Sequence, residues 1–349
     1  MIPVNCRNTI FIDLLQAIDA YCLQSNLLST APIINPFVND PSGIDIIQYY
    51  DHEAIQKSTS PMVIVDLITE GFNIIGEFKK YPTDKHYIIF TNGWWDKRKI
   101  NLNINYEIIY WNYFLYDFVK RATCSNIVDF YQDKNYKIEA DKRFTFISTI
   151  GGPKPWRDTF VQLLIDNINF DNYILNYNGI ELKQPSRELD INYNFNDYNS
   201  YRVIHQHYTI SSSIPINMYN ASRLLLVVET TMNNHNEFHL TEKTLKALIT
   251  GIPFIIVGSY NFLRHLQDMG FRTFNELWSE EYDNISDIDE RMLAIINLLN
   301  QINTISWTQT TIDKAREITY YNKCHMLNVN SIMKKQLDTI IKTFNNYTI

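Results

Sequence analysis

Four cysteines in 349 residues, Cys6, Cys22, Cys124 and Cys324, form no C-x-x-C pair. That spacing speaks against a disulfide framework and against a cysteine zinc site, and fits reduced thiols in a cytosol. Long hydrophobic runs are missing too: no stretch approaches the roughly 18 apolar residues that a membrane helix needs. The first residues, "MIPVNCRNTIFIDLLQAIDAYC", carry Arg7 and Asp13 among the apolar positions. With no basic region leading into a continuous apolar stretch, they do not read as a signal peptide. A soluble, cytoplasmic protein is expected (in a host cell, if the source is viral). A basic excess is also lacking, since 31 Lys and Arg face 38 Asp and Glu for a net charge of −7. This argues against a protein dominated by phosphate-backbone binding, while leaving room for a local basic cleft.

Several chemical signatures are absent as well. There is no G-x-G-x-x-G, no P-loop and no G-x-S-x-G; "IGGPKPWR" places paired glycines after a strand but matches none of them. A dinucleotide-dependent oxidoreductase is disfavoured on that ground. His205 and His207 share one face of an extended segment without a third ligand, and His235 and His239 lie four apart in a loop. No metal site is expected from either pair.

What is present is apolar mass in a regular order. With 45% hydrophobic and 20% charged residues, the chain can bury sizeable cores, and its length suits two domains. The runs "PMVIVDL" (61–67), "HYIIFTN" (86–92), "RFTFIST" (143–149) and "RLLLVVE" (223–229) are continuously apolar rather than alternating. Such runs predict strands covered on both faces, as in parallel sheets. Helical spacing separates several of them. The Asn-, Asp- and Tyr-rich stretch at about 178–206 reads as irregular or inserted.

The clearest local pattern runs from 222 to 275. Thr241 is a plausible N-cap for "EKTLKALIT", Leu245, Leu248 and Ile249 supply a sheet-facing stripe, and Gly251 suits the position after the helix. "FIIVGS" is the next strand; Asn261 then caps a short helix stopped by Gly270, and "FRTF" makes a third strand. Strand, helix and strand in this rhythm predict an α/β unit. In such sheets ligands bind beyond the carboxyl ends of the strands. Glu229, Thr241, Glu242, Lys243, Gly258 and Ser259 all fall at such ends. A helix start suits phosphate and Lys243 adds a full charge, whereas Glu242 would repel phosphate and makes sense as a partner of sugar hydroxyls. A blander reading gives Glu242 to the helix dipole, worth about 0.3–1 kcal/mol, and Lys243 to the surface.

The stretch "VVET…HLTEKTLKALITGIPFIIVGS" resembles the donor-binding signature of family 10 glycosyltransferases, the α1,3-fucosyltransferase group. "SYNFLRHLQDMGFRTFNELWSEEYD" is similar to the tail of related viral and bacterial glycosyltransferase-like proteins. The likeness covers about 223–283 well, extends weakly to "FISTIGGPKPWRDTF", and finds no counterpart across 1–140. It implies a GT-B fold, two Rossmann-like domains facing a cleft, with a C-terminal helix returning to the first. On that basis the domains are 1–140 on the acceptor side, 141–315 for nucleotide-sugar binding and a helical strap at 316–349.

The resemblance further implies Glu242 on the ribose hydroxyls, Lys243 and Arg157 on the diphosphate, and Glu229 near the donor sugar. Fixed cations of this kind would stabilise a departing diphosphate. The strand end reads Glu-Thr-Thr where the family has Glu-Asn-Ser, so the donor sugar does not follow. A carboxylate must take the acceptor's proton if configuration inverts. Glu70, three residues past the "MVIVDL" strand, is the first candidate, with Asp96 and Asp66 as rivals; Trp94 and Trp95 would offer an apolar platform.

The expected function is sugar transfer from a nucleoside-diphosphate sugar to a hydroxyl acceptor, carbohydrate or other, with no bound cofactor and no metal. Two rivals stand beside it. One is a viral glycosyltransferase acting on a hydroxylated base in nucleic acid; the other is a non-catalytic nucleotide-binding or virion protein that keeps the fold.

Overall fold

Continuous apolar runs become the inner strands of two parallel sheets. The computed structural model describes residues 2–5, 34–35, 44–48, 51–60, 62–67, 78–93, 102–112, 114–115, 118, 137–139, 142–177, 180–183, 214, 216–232 and 238–346. The chain divides into two units, Met1–Tyr113 with Asn330–Ile349, and Phe114–Val329.

In the first unit, β1 (Ile2–Asn5), β2 (Ile34–Asn35), β3 (Ile44–Gln48), helix α1 (His52–Lys57), β4 (Met62–Leu67), β5 (His86–Thr91) and β6 (Asn105–Tyr110) follow one another. The sheet order is β2-β1-β3-β4-β5-β6. Every described pairing is parallel. Val63, Val65, Tyr87 and Ile89 point into a core with Ile55, Phe78 and Tyr81. Ile64, Ile88 and Phe90 alternate with them and are equally buried. Successive side chains leave opposite faces of a strand, so both faces of this sheet are covered.

The second unit holds β7 (Phe144–Ile150), α2 (Pro155–Asn167), β8 (Tyr173–Tyr177), β9 (Ile180–Lys183), α3 (Ile216–Asn220), β10 (Ser222–Val228), α4 (Glu242–Thr250), β11 (Phe254–Val257), α5 (Phe262–Asp268), α6 (Ile288–Thr304) and α7 (Gln309–Leu327). Its order is β11-β10-β7-β8-β9, parallel except for the β8–β9 pair. The chain leaves β7 through α2 toward β8 on one side, and leaves β10 through α4 toward β11 on the other. Neighbouring strands β7 and β10 therefore diverge, and an open α/β sheet forms its ligand crevice where strand order reverses in this way.

The last helix, α8 (Val329–Asn346), belongs to the first unit. Met333, Leu337 and Ile340 give it a buried stripe at helical spacing. Gln336 Oε1 accepts from the Asn112 amide at 3.2 Å, and Thr343 donates to Glu107 Oε1 at 3.4 Å. Among the described residues no helix is long and apolar enough to cross a membrane.

Several local expectations need correction. Residues 180–183, inside the stretch read as irregular, form the antiparallel strand β9. "FRTF" is not a strand, because the Asn322 side chain on α7 takes both backbone groups of Arg272, accepting from its N–H and donating to its carbonyl, each at 2.8 Å. Asn261 has φ 62° and makes no side-chain cap. The cap of α5 comes instead from Asp283, whose carboxylate accepts from the amides of Leu263 and Arg264 at 3.0 and 3.2 Å. The sequence reading divides the chain at 140 and 315, whereas the units divide at 113 and 329. Lys137, Ile138 and Lys142 side with the second unit, because Asn220 accepts from the Lys137 amide and the Lys142 ammonium and Arg316 donates to the Ile138 carbonyl.

Candidate anion site at the diverging strands

Helix α4 starts where the sequence places it. Thr241 is extended and its Oγ1 accepts from the Lys243 amide at 3.4 Å; Gly251, with φ 76°, ends the helix in the left-handed conformation that suits glycine. Just before it lies Glu229, directly after β10 and 0% exposed. Its amide continues the sheet by donating to the Val257 carbonyl at 2.9 Å. Its carboxylate accepts four hydrogen bonds. Thr241 Oγ1 and the Thr230 amide donate to Oε2, and Thr244 Oγ1 and the Thr244 amide donate to Oε1. Glu229 thus ties the end of β10 to the first turn of α4. Burial raises its pKa, opposed by the Lys243 charge and by the Thr241 and Thr244 hydroxyls.

Three cations converge beside it, two on backbone carbonyls and one on side-chain oxygens. Lys154, in the loop after β7, donates to the Thr230 carbonyl at 2.9 Å. Arg157, in the first turn of α2 and 3% exposed, donates to the carbonyls of Glu229 at 2.8 Å and Gly152 at 2.9 Å. Lys243 donates to Thr230 Oγ1 at 3.2 Å and Glu242 Oε1 at 2.7 Å. The loops after β7 and β10 are drawn together by these contacts, at the place where the two strands diverge. A Cβ added to Gly152 would meet nothing within 4 Å, so open space lies next to this cluster.

Glu242 is part of the same group. Burial raises its pKa, but the Lys243 charge and hydrogen bond, with help from Lys246, bring the net value below the ordinary carboxylate range. It is an ionised acceptor, suited to hydroxyl donors. The first-turn amides of Lys243 and Thr244 are already taken, by Thr241 and Glu229. Attraction for an anion here rests on the side-chain cations more than on bare helix amides.

His239, two residues before the cap, is 4% exposed, and among the described residues neither ring nitrogen has a hydrogen-bond partner. Burial draws its pKa down to about 4; Lys243 and Lys154 push the same way and Glu242 opposes. A neutral imidazole, with one N–H donor and one acceptor nitrogen, stands at the edge of the site. Ser259, past β11, is buried, and among the described residues its hydroxyl has no partner. Gly258 is a packing glycine, since a Cβ there would lie 2.9 Å from the Phe262 ring.

The structure therefore gathers Arg157, Glu229, Thr241, Glu242 and Lys243 into one constellation and puts Gly258 and Ser259 on the adjoining strand end. Sequence reasoning missed Lys154, Thr230, Thr244 and Lys246. Lys246 carried a local signal, four residues beyond Glu242; Lys154 and Thr230 meet only because β7 and β10 are neighbours. Glu70, Asp96, Trp94 and Trp95 lie outside the described residues, as do His205, His207 and His235. Asp66 is on β4, in register with Phe90. Among the described residues no group of three metal-ligating side chains occurs. Comparison with protein-family models and with curated proteins finds no match to this chain.

Proposed function

We propose that the chain is a nucleotide-sugar-dependent glycosyltransferase of GT-B architecture, with its donor site at the diverging ends of β7 and β10. The observation that carries this reading is the convergence of Lys154, Arg157 and Lys243 on residues 229–230, beside the ionised Glu242. A nucleoside diphosphate presents the complementary pair of groups. Its phosphates match the lysines, and its ribose diol can donate to the Glu242 carboxylate. Arg157 contributes chiefly by holding the two loops, since two of its guanidinium nitrogens are spent on carbonyls.

In the transfer, the acceptor oxygen forms a bond to the anomeric carbon while the bond from that carbon to the diphosphate oxygen breaks. The electron pair leaves on the diphosphate, where Lys243 and Lys154 stabilise the developing charge. The acceptor's proton passes to a carboxylate, for which Glu70 and Asp96 are the candidates from sequence.

Thermal unfolding against GDP, UDP, ADP, CMP and NAD, with and without Lys243→Ala, tests the donor site. A ligand at about 100 times its dissociation constant adds roughly 2.7 kcal/mol to the native state. At about 2–4 °C per kcal/mol, the expected rise is about 5–11 °C for one nucleoside diphosphate. The rise should vanish in the variant. A folded protein that no nucleoside diphosphate stabilises would refute the reading.

A further inference from the structure

Lys246 lies one turn beyond Glu242 on α4, and i, i+4 spacing puts both side chains on one strip of the helix. It is 9% exposed, on a helix whose other buried positions, Thr244, Leu245, Ala247, Leu248, Ile249 and Thr250, carry no charge. Among the described residues its ammonium has no hydrogen-bond or ion-pair partner. For a lysine side chain so largely withdrawn from water, the lack of an ion-pair partner is costly, so its retention calls for a reason.

Lys243 is the opposite case. Its ammonium is wholly engaged by the protein, with Glu242 Oε1 at 2.7 Å, Thr230 Oγ1 at 3.2 Å and Thr241 Oγ1 at 3.5 Å. An anion that recruits Lys243 competes with Glu242 for its ammonium. The Glu242 side chain is 16% exposed, so water cannot fully replace the lost counter-ion. A bare carboxylate at that point would also repel the arriving anion.

We propose that Lys246 is a positioning residue that neutralises Glu242 when a diphosphate draws Lys243 away, so that binding exchanges one cation for another on the same carboxylate. This rests on the anion-site reading above. The two lysines already act on Glu242 electrostatically in the unliganded chain. Although burial lowers the Lys246 pKa to about 8, the ammonium still predominates at neutral pH. The exchange divides the work between the two lysines. Lys243, its side chain 22% exposed, meets the ligand, while Lys246, buried, holds the acid that the ligand's hydroxyls need.

Calorimetric titration with inorganic pyrophosphate and with GDP and UDP tests this in the wild type, Lys246→Met, Lys246→Arg, Glu242→Gln and the double variant Glu242→Gln/Lys246→Met. Lys246→Met should weaken pyrophosphate binding about tenfold, within the range that coupled neighbours show. The unliganded variant should melt at or above the wild-type temperature, because an unpartnered buried ammonium has been removed. That combination separates a positioning role from simple damage to the fold. Lys246→Arg should restore most of the affinity. In the Glu242→Gln background, where no carboxylate needs a counter-ion, Lys246→Met should change affinity by less than about twofold. Lys246→Gln, run in parallel, gives the same readout should the methionine variant fail to fold. Wild-type affinity in both neutral variants, or an equal loss with and without the Glu242 carboxylate, would overturn the proposal and leave the anion site standing. A wild type that binds none of the three probes would remove the anion site and this inference together.

Discussion

Acidification should destabilise the second unit through His239, and the size of the effect follows from its surroundings. The ring is 4% exposed, its nitrogens have no partner among the described residues, and burial draws its pKa from 6.5 to about 4. Lys243 and Lys154 add to the depression, and Glu242 opposes it. The unfolded chain takes up a proton at this residue below pH 6.5, while the folded chain resists until about 4. The stability it contributes is thus complete above the higher value and is lost as pH falls through the window. At about 1.4 kcal/mol per pH unit, the loss approaches about 3 kcal/mol.

The wild type alone would not show this cleanly. Burial raises Glu280 from 4.5 to about 7 and Asp283 from 3.8 to about 6. For these acids the folded state holds the proton, so their contribution is greatest at low pH and is lost as pH rises. Their slopes oppose that of His239. The informative quantity is the difference in melting temperature between wild type and His239→Gln, measured from about pH 7.5 to about pH 4. Glu280 and Asp283 are common to both proteins and largely cancel. Relative to the variant, the wild type should lose about 6–12 °C across the range. A difference that stays constant with pH would mean that the ring is hydrated or paired in solution, and would refute the account of His239 as a neutral buried imidazole.

Glu229→Gln should lower the melting temperature by about 4–8 °C, equivalent to about 2 kcal/mol. Each carboxylate oxygen accepts from one backbone amide, so the new NH₂ must face an N–H whichever way the amide turns. Unchanged melting would show that Glu229 does not hold the start of α4. In the neighbouring helix, Asp283→Asn should cost about 1–3 kcal/mol by removing an acceptor from α5, measured by chemical denaturation. Asn261→Gly should be neutral or stabilising by up to about 1 kcal/mol, because φ 62° suits glycine and the Asn side chain makes no cap. The reverse order of these two effects would restore Asn261 as the cap.

The elements legible in the sequence were those whose causes are local. Strands β4, β5, β7, β10 and β11 show as continuous apolar runs because both faces of each sheet are covered. Helix α4 shows from Thr241 and Gly251, which act within a few residues of themselves. The misread features depend on residues far along the chain. Asp283 caps a helix about twenty positions earlier, and Asn322 replaces the strand expected at "FRTF" from fifty positions away. No periodicity carries such information. The candidate site divides in the same way. Thr241, Glu242 and Lys243 could be picked out from a helix start, but the meeting of Lys154 with Thr230 depends on the pairing of β7 with β10, which is a property of strand order.

That strand order also accounts for the charge balance of the site. Bringing Lys154, Arg157 and Lys243 to one place would be unfavourable if nothing offset them. The two acids do so in different ways. Glu229, buried beneath the helix start with its oxygens fully used, sets a carboxyl group against the cations that no ligand can reach. Glu242, at the rim, supplies negative charge that can be handed from Lys243 to Lys246. A weakly charged anion would have to compete with Glu242 for Lys243 and gain little, because one ion pair is merely exchanged for another. On the proposed reading, a nucleoside diphosphate brings enough charge to engage Lys154 as well, and its ribose can use the carboxylate that Lys243 releases. On that reading, the paired Glu-Lys helix start favours a ligand that carries both a diphosphate and a diol over a simple anion, because the Glu242–Lys243 ion pair has to be exchanged for something better.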